Sequence, residues 1–298
     1  MKIIHENNLD YKTLYHNMVQ GLADYAVENK LNAFVLGISG GLDSTIVASI
    51  AQDAAKIVGI PLIGLSLPCN TNKQEENDSA NLAGKMCSVY KIINIETLYE
   101  TTSKFFEAKK PIKSLLTTPI AEGNIKARIR METLYHYAGV LGGIVLDTDN
   151  LTEHYTGFWT KHGDEGDVNP IGGLWKHELY QLAEWLRDNK KEHADAFQHA
   201  IDITPTDGNG VSKSDLDQIA PGLTYAQVDE ILECWLQIPF EKRRDVLDGK
   251  HDFKPYIDLY GKYGKTIVDG VAHRNLRTEY KRKHAPLVID PFSGKIVC

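Results

Sequence analysis

The chain has 298 residues, of which 42% are hydrophobic and 24% are charged, a composition typical of a globular protein. Its net charge of −7 at pH 7 disfavours a nucleic-acid-binding protein, because binding to phosphates requires a basic surface. No apolar run approaches the roughly 18 residues of a membrane-spanning helix, and the polar first residues lack the apolar core of a signal peptide. We therefore expect a cytoplasmic protein with free cysteines that binds neither membranes nor nucleic acids.

Strands and helices alternate over roughly the first half of the chain. After a helical N-terminal region, a buried strand is predicted at 32–38, and further strands are predicted at 60–68, 89–95 and 142–148. Helical patterns separate these strands over 43–58, 75–87, 98–108 and 123–138. Strands that alternate with helices form a parallel sheet with helices on both faces, so we predict an α/β, Rossmann-like fold of three layers.

The pattern changes after Asn150. The segment 151–175 is rich in glycines, aromatics and charges and shows no clear period, and the segment 203–224 is also typical of a loop. Amphipathic helices are predicted at 176–189 and 225–236. Long irregular segments in a compact protein are usually functional. Because no linker is evident, we expect a single domain over residues 1–298, with C-terminal helical additions to the sheet.

A glycine-rich stretch, Ser39-Gly40-Gly41-Leu42-Asp43-Ser44, joins the first predicted strand to the next helix. Its glycines permit positive φ and close approach of a ligand, while the helix N-terminus and the serines offer donors to phosphate oxygens. Asp43 would repel phosphate unless Mg²⁺ lay between them, since that ion prefers carboxylate and phosphate ligands. The alternative is a turn in which Asp43 or Ser44 simply caps the helix.

Three motifs carry a resemblance to a known family. S-G-G-x-D-S resembles the pyrophosphate loop of the N-type ATP pyrophosphatases, which split ATP between its α and β phosphates and activate a substrate as an adenylate. Within that superfamily, EGNIKARIRM at 122–131 and DTDNLTEHYTGFWTKHGD at 147–164 are similar to motifs of the NAD synthetases. The resemblance implies an adenine nucleotide alpha-hydrolase-like fold and the activity of an ammonia-dependent NAD⁺ synthetase.

The resemblance also implies roles for individual residues. The ATP-binding residues would be Ser39, Gly40, Gly41, Leu42, Asp43, Ser44, Ser66, Thr148, Lys176 and Thr206. The residues that bind the acceptor, which is the substrate that becomes amidated, would be Asn124, Arg128, Tyr135, Trp159, Lys161 and Asp164. Asp43 and Glu153 would bind Mg²⁺, and the catalytic residues would be Asp43, Lys161 and Lys176.

The chemistry of these side chains agrees with such roles, and each also has a simpler alternative. Arg128 follows Asn124 by four residues, so both lie on one helix face, where the arginine fork suits phosphate or carboxylate; the alternative is a salt bridge on a surface helix. Trp159 either stacks on the pyridine ring of the acceptor or belongs to the core. Tyr135 either touches the acceptor or packs. The basic stretch 273–284 is expected to fold back over the anionic ATP site.

The implied reaction is amidation of deamido-NAD by ammonia, through an acyl adenylate, with release of AMP and pyrophosphate. A separate glutaminase domain would need about 150 more residues, so free ammonia is the expected nitrogen source. The family's homodimer is expected here by resemblance. Two alternatives stay open: amidation of nicotinate mononucleotide, and a non-catalytic nucleotide sensor. A tRNA-modifying ligase of the same superfamily is disfavoured by the acidic net charge.

Two departures from the family pattern affect the pocket. Asp147 occupies the position of a glycine that precedes the T-x-x-x-x-E motif, and Ser66 replaces an arginine often found near the adenine. Neither change touches the predicted phosphate loop, residues 39–44. The sequence therefore predicts the phosphate chemistry more firmly than it predicts the contacts of the adenine and of the acceptor.

Overall fold

A computed structural model describes residues 5, 9–69, 74–108, 119–206, 213–284 and 287–297 of the chain. Its strands, in chain order, are β1 (Phe34–Gly37), β2 (Leu62–Ser66), β3 (Val89–Ile92), β4 (Ile144–Leu146), β5 (Val168–Asn169), β6 (Leu287–Ile289) and β7 (Ile296–Val297). They form one sheet in the order β3-β2-β1-β4-β5-β6-β7. All neighbours pair in parallel except β6 and β7, which are antiparallel.

Helices account for most of the remaining structure. The α-helices are α1 (Tyr11–Glu28), α2 (Leu42–Val58), α3 (Gln74–Gly84), α4 (Glu96–Ala108), α5 (Pro119–Leu141), α6 (Leu151–Thr156), α7 (Lys176–Asn189), α8 (Ala194–Asp202), α9 (Asp215–Ile219), α10 (Tyr225–Leu236), α11 (Arg243–Leu247), α12 (Lys254–Tyr263) and α13 (Lys265–Arg277). Short 3₁₀ helices cover Lys191–His193, Phe240–Lys242 and Glu279–His284. No helix among the described residues has the length and apolarity that crossing a bilayer requires.

The side chains of β1 alternate between two hydrophobic cores on opposite faces of the sheet. Phe34 and Leu36 belong to the core formed with α1, α2, α7 and α8. Val35 belongs to the other core, which includes Ile129 and Leu134 of α5. The predicted parallel α/β sheet with helices on both faces is thereby confirmed.

A third core lies among the C-terminal helices. It is built on α10, α12 and α13 and contains the fully buried rings of Trp175, Trp235 and Tyr256. These helices are the C-terminal additions that the sequence predicts, and they pack against α6 and α7. Through those contacts the helical unit reaches the edge of the sheet where a ligand would bind.

Several elements differ from the sequence-based expectation. The segment 151–175 contains α6 and β5, and the segment 203–224 contains α9, although both were expected to be irregular. The sheet also continues through β5, β6 and β7, beyond the four predicted strands. These elements are two to six residues long, so periodicity over a longer window cannot detect them.

The strand order fixes where a ligand would bind. From β1 the chain proceeds through α2 to β2 on one side, whereas β4 lies on the other side of β1. The connections that leave β1 and β4 therefore run in opposite directions and open a crevice at the carboxyl ends of these strands. The loop 38–41 follows β1, and residues 147–150 follow β4, so both segments border this crevice.

Candidate active site

A cavity of about 900 Å³ opens at the carboxyl ends of β1 and β4. The six residues of the 39–44 stretch line it, as do the other residues for which the sequence predicts a site role, with one exception. Those other residues are Ser66, Asn124, Arg128, Thr148, Glu153, Trp159, Lys161, Asp164, Lys176 and Thr206. The exception is Tyr135, which is not among the lining residues.

The loop before α2 has the geometry that the sequence predicts. Gly40 has a φ of +82°, and a Cβ built at this position would lie 2.5 Å from the backbone nitrogen of Ala80. Only glycine fits this turn, because a side chain would meet both strain and collision. Ser79 of α3 donates a hydrogen bond to the Gly40 carbonyl. The loop therefore packs closely against α3 while the N-terminus of α2 faces the cavity.

Two serine hydroxyls organise the same loop. Ser39 Oγ lies 2.9 Å from Ser44 Oγ and accepts a hydrogen bond from the backbone N–H of Gly41 at 3.1 Å. These contacts hold the loop closed at the start of α2. A helix N-terminus with hydroxyl groups beside it is suited to phosphate oxygens, because the unpaired N–H groups and the helix dipole both favour negative charge.

Asp43 and Glu153 converge on one ammonium group. Lys176 donates a hydrogen bond from Nζ to Asp43 Oδ2, and its Nζ lies 3.3 Å from Glu153 Oε1. Lys176 is only 2% exposed, and the two carboxylates are 18% and 14% exposed. Three charged groups from α2, α6 and α7 thus meet at the carboxyl edge of the sheet, beside the phosphate loop.

The start of α6 places Glu153. Asn150 caps this helix by accepting a hydrogen bond from the backbone N–H of Glu153 at 3.0 Å, and Glu153 Oε2 accepts one from the backbone N–H of Asn150 at 3.2 Å. This reciprocal pair is a capping box. Glu153 Oε1 is left to face Lys176, so the capping box also orients the carboxylate toward the cavity.

Burial and neighbouring charges alter the acid–base properties of this cluster. Burial raises the pKa of Glu153 to about 8; attraction by Lys176 opposes the shift, while repulsion from Asp43 and Asp215 adds to it. Burial alone would lower the pKa of Lys176, but Asp43 and Glu153 raise it well above its usual value. Lys176 is therefore a permanent cation.

The donor set suits Mg²⁺. Among the described residues, no three histidine, cysteine, aspartate or glutamate side chains are arranged to hold a metal by themselves. Mg²⁺ needs no such cage, because it commonly binds one or two carboxylates together with substrate phosphates. Asp43 and Glu153, both within reach of one cationic nitrogen next to the phosphate loop, meet that requirement.

The side of the cavity where the sequence predicts the acceptor is formed by α5 and the segment after α6. Thr160 donates from Oγ to Asn124 Oδ1 at 2.7 Å, and its backbone N–H donates to Asp164 Oδ2 at 2.6 Å. Arg128 and Lys161 also line the cavity, and neither forms an ion pair or hydrogen bond with another described residue. Two cationic side chains next to an ordered amide and carboxylate suit an anionic acceptor.

The basic stretch 273–284 lies against this side of the cavity, whereas the sequence analysis expected it over the ATP site. Lys281 lies 5.2 Å from the ring centre of Trp159 and donates a hydrogen bond to the Gly157 carbonyl at 2.8 Å. Arg274 lies over the ring of Phe158 at 5.6 Å. Trp159 is 7% exposed, so its ring is packed under the C-terminal segment while its edge borders the cavity.

Tyr135 and the histidines have other partners. The Tyr135 hydroxyl donates to Asp167 Oδ1 at 2.9 Å, which directs the side chain to the sheet edge near β5 rather than into the cavity. Its proposed contact with the acceptor therefore has no support within one chain. His177 Nδ1 lies 2.8 Å from Asp229 Oδ2.

Several cavity residues were not singled out from the sequence. These are Asp149, Asp215, Gln218, Arg274, Arg277 and Lys281. Asp149 lies within the 147–164 motif, and Arg274, Arg277 and Lys281 lie within the basic stretch 273–284. The sequence indicated a function for both regions, but no residue spacing distinguished these four residues from their neighbours. Asp215 enters the site because Ser214 caps the short helix α9, which periodicity did not reveal.

Comparison with known proteins agrees with this geometry. The model of the NAD synthase family matches residues 14–285. The NH₃-dependent NAD⁺ synthetase of Pyrococcus furiosus is 33% identical over 271 residues, which cover 90% of this chain and 93% of the relative.

Solved structures show the same fold. The structure of NMN synthetase from Francisella tularensis superposes with a TM-score of 0.69 and 27% identity, covering 93% of this chain and 98% of that one. The NH₃-dependent NAD synthetase of Campylobacter jejuni superposes with a TM-score of 0.64 and 24% identity, covering 94% and 99%. The phosphate loop, the acid pair and the fold together agree with the family match over nearly the whole chain, and the chain belongs to the NAD synthase family.

Proposed function

We propose that the protein amidates deamido-NAD to NAD⁺ with ammonia and ATP, and that it releases AMP and pyrophosphate. The observation that carries the proposal is the meeting of Asp43, Glu153 and Lys176 beside the phosphate loop, in a cavity that also contains a cationic acceptor side. Family membership supports the same reaction, since the curated relative named above is an NH₃-dependent NAD⁺ synthetase.

The chemistry requires activation of a carboxylate. The pyridine carboxylate of deamido-NAD is a poor electrophile, because oxide is a poor leaving group. One of its oxygens attacks the α-phosphorus of ATP, the bond to the bridging oxygen breaks, and pyrophosphate leaves. Ammonia then adds to the carbonyl carbon of the acyl adenylate, loses a proton, and AMP departs with the original carboxylate oxygen. The product is the amide.

The protein needs no nucleophilic side chain for these steps. The loop 39–44 and the N-terminus of α2 bind and align the departing phosphates, and the Lys176 ammonium stabilises the charge that develops on them. Lys161 is a second cation on the acceptor side. Asp43 and Glu153 would hold Mg²⁺, which supplies charge neutralisation on the phosphates.

Isotope transfer tests the adenylate. We expect deamido-NAD labelled with ¹⁸O in its pyridine carboxylate to transfer one labelled oxygen to AMP, as detected by mass spectrometry. Labelled pyrophosphate, or unlabelled AMP formed together with NAD⁺, would contradict the proposed intermediate. An incubation without ammonium serves as the control for hydrolysis of the adenylate by water.

A second candidate acceptor is nicotinate mononucleotide. The observation that favours it is the similarity to the Francisella tularensis NMN synthetase, whose TM-score and identity both exceed those of the Campylobacter jejuni enzyme. Both acceptors present the same pyridine carboxylate, so the cluster around Lys176 serves either one. We expect kcat/KM to be higher with deamido-NAD; a higher value with nicotinate mononucleotide would assign the second function.

We also propose a homodimer, formed through the exposed surface of α4, α5 and the edge strand β3. The edge strand β3, α4 and α5 expose a set of large apolar side chains there: Val89, Ile92, Leu98, Phe105, Phe106, Ile120, Val140 and Leu141. Apolar side chains exposed beside an edge strand are typical of an interaction surface. A second copy is the partner we propose, because the family resemblance implies a dimer.

Two further properties complete the proposal. The chain would act as a single domain that takes free ammonia, because the Pyrococcus furiosus relative, named as NH₃-dependent, matches it over 93% of its own length. A cytoplasmic location is consistent with Cys69, Cys87 and Cys234, which are free thiols in the structure.

A further inference from the structure

A fully buried carboxylate, Asp229 of α10, lies behind the active site and outside the cavity lining. It accepts hydrogen bonds from two different helices. Thr152 of α6 donates from its hydroxyl to Asp229 Oδ1 at 2.5 Å. His177 of α7 donates its backbone N–H to Asp229 Oδ2 at 3.1 Å, and its ring Nδ1 lies 2.8 Å from the same oxygen.

A further bond closes this network. The backbone N–H of Lys176 donates to Thr152 Oγ at 2.9 Å, so the threonine hydroxyl connects α6, α7 and Asp229 at one point. Thr152 is fully buried, so water does not reach its hydroxyl group. Its hydrogen bonds within the protein satisfy that group instead. The first turns of α6 and α7 are therefore held in one relative position by α10.

The two anchored residues are direct neighbours of functional ones. Thr152 precedes Glu153, and His177 follows Lys176. Glu153 and Lys176 face each other across the cavity edge at 3.3 Å. A shift of either first turn changes this distance, and with it the separation between the carboxylate, the ammonium group and the phosphates. Misplacement by about 1 Å can cost about 100-fold in rate.

We propose that Asp229 is a positioning residue, which sets the geometry of Glu153 and Lys176 from behind the site. The proposal rests on the roles of these two residues in the proposed function. It extends that function, because it couples the C-terminal helical unit to the phosphate chemistry through one side chain. Asp229 itself touches neither the cavity nor a reacting atom.

The principal variant is Asp229→Asn. An amide has one acceptor oxygen in place of two, so either Thr152 or His177 loses its acceptor. We expect kcat to fall by about 10- to 100-fold while the KM for ATP changes by less than about threefold, because the lost interaction matters most in the transition state. We also expect weaker Mn²⁺ binding, measured by electron paramagnetic resonance with a non-hydrolysable ATP analogue.

Asp269→Asn is the matched control. Asp269 of α13 also accepts several hydrogen bonds, at Oδ1 from the hydroxyls of Tyr256 at 3.1 Å and Tyr260 at 2.8 Å and at Oδ2 from Lys265 at 2.5 Å. It belongs to the same helical unit but does not line the cavity. Its replacement should lower the melting temperature without lowering kcat. Thr152→Val is the second variant, which keeps the side-chain shape and removes the central hydroxyl; it should reproduce the fall in kcat.

The outcomes separate the possible explanations. A kcat of Asp229→Asn within about twofold of the wild type, or an equal loss of kcat in Asp269→Asn, overturns the positioning role. If Asp229→Asn fails to fold, Thr152→Val decides in the same way. If the wild type turns over neither acceptor, the proposed function fails. In that case Mn²⁺ binding still tests the positioning of Glu153, which is overturned if a folded Asp229→Asn variant binds Mn²⁺ as the wild type does.

Discussion

Asn150 Nδ2 donates a hydrogen bond to Asp43 Oδ1 at 3.1 Å, between residues that are 107 positions apart in the chain. The same amide group caps α6 through its oxygen. One buried side chain therefore starts the helix that carries Glu153 and orients the carboxylate at the start of α2. The second Asp43 oxygen is bonded to Lys176, so both of its oxygens are fixed.

The Asn150→Ala substitution should damage stability and turnover together. Loss of an N-cap costs about 0.5–2 kcal/mol, and the hydrogen bond to Asp43 is lost as well. We expect the melting temperature to fall by several degrees and kcat to fall by about 10-fold or more, because Asp43 and Glu153 both lose an orienting partner. Thermal unfolding and steady-state kinetics measure the two effects.

Thr224→Ala is the control for that variant. Thr224 caps α10 with the same reciprocal arrangement, here with Gln227, and lies outside the cavity lining. A comparable fall in melting temperature with unchanged kcat would assign the kinetic effect of Asn150→Ala to the contact with Asp43. Equal kinetic losses in the two variants would contradict that assignment.

Replacement of Lys176 by methionine should make stability depend on Mg²⁺. Lys176 is paired with two largely buried acids, Asp43 and Glu153, and removal of one partner from a buried ion pair costs about 3–5 kcal/mol. A bound cation would restore part of that loss. We therefore expect Mg²⁺ to raise the melting temperature of Lys176→Met by more than it raises that of the wild type.

Lys190→Met provides a comparison outside the site. Lys190 pairs with Asp53 at 2.5 Å, and neither residue lines the cavity. Mg²⁺ should not rescue this variant selectively. If Mg²⁺ stabilises Lys176→Met no more than it stabilises Lys190→Met, then Asp43 and Glu153 do not form the cation site.

Asp147 should make stability fall as the pH rises. Burial raises the pKa of Asp147 to about 7, although backbone N–H groups of Asp149 and Gly166 bind its oxygens and oppose the shift. A carboxyl group with a raised pKa contributes its full stability below the pKa of the unfolded chain, near 4, and loses it as the pH rises to about 7. Asp147→Asn removes this titration.

We therefore expect the melting temperature of Asp147→Asn, measured relative to the wild type, to increase between pH 5 and pH 8. The asparagine side chain has one acceptor oxygen fewer than aspartate at every pH. Only the change of the melting-temperature difference with pH therefore reports the ionisation of the Asp147 carboxyl group. Differential scanning calorimetry in matched buffers measures it. A relative melting temperature that stays constant or decreases over this range would show that Asp147 is ionised throughout.

The proposed dimer predicts that Val140→Glu produces a monomer. Val140 is 72% exposed on α5, which belongs to the proposed interface, and a charge there would be costly to bury. Size-exclusion chromatography with light scattering measures the mass. Val27→Glu is the matched control, since Val27 is 62% exposed on α1, which packs on the opposite face.

We expect the Val27→Glu protein to remain dimeric at the concentration where Val140→Glu dissociates. If the Val140→Glu protein stays dimeric, the dimer interface does not include Val140. If the wild type is itself monomeric, the proposal of a homodimer fails.

Much of the sheet and of the phosphate site is predictable from the sequence. Strands β1, β2 and β4 are apolar runs bounded by helical patterns, whereas β3 is mostly exposed but keeps the alternation of strands and helices. The glycine-rich loop is predictable because it stands between a predicted strand and a predicted helix. The helix α6 also had a readable signal, because Asn150 and Glu153 have the spacing of a capping box. Its six residues were nevertheless too few to show a helical period.

The remaining features depend on contacts between distant segments. Strand β5 has two residues and exists because β4 and β6 pair with it. Tyr135 lies on the predicted helix, but its hydroxyl is bonded to Asp167, 32 residues away. The link between Thr152 and Asp229 spans 77 residues. No local pattern encodes such pairs, because they form only when the helices pack.

The most direct test of the proposed reaction is the stoichiometry of its products. With ATP, Mg²⁺, ammonium and deamido-NAD, we predict equimolar AMP, pyrophosphate and NAD⁺, resolved by chromatography, and loss of all three products in a folded Asp43→Asn variant. Release of ADP and phosphate, or binding of ATP without any turnover on either acceptor, would contradict the assignment of this site to amidation through an adenylate.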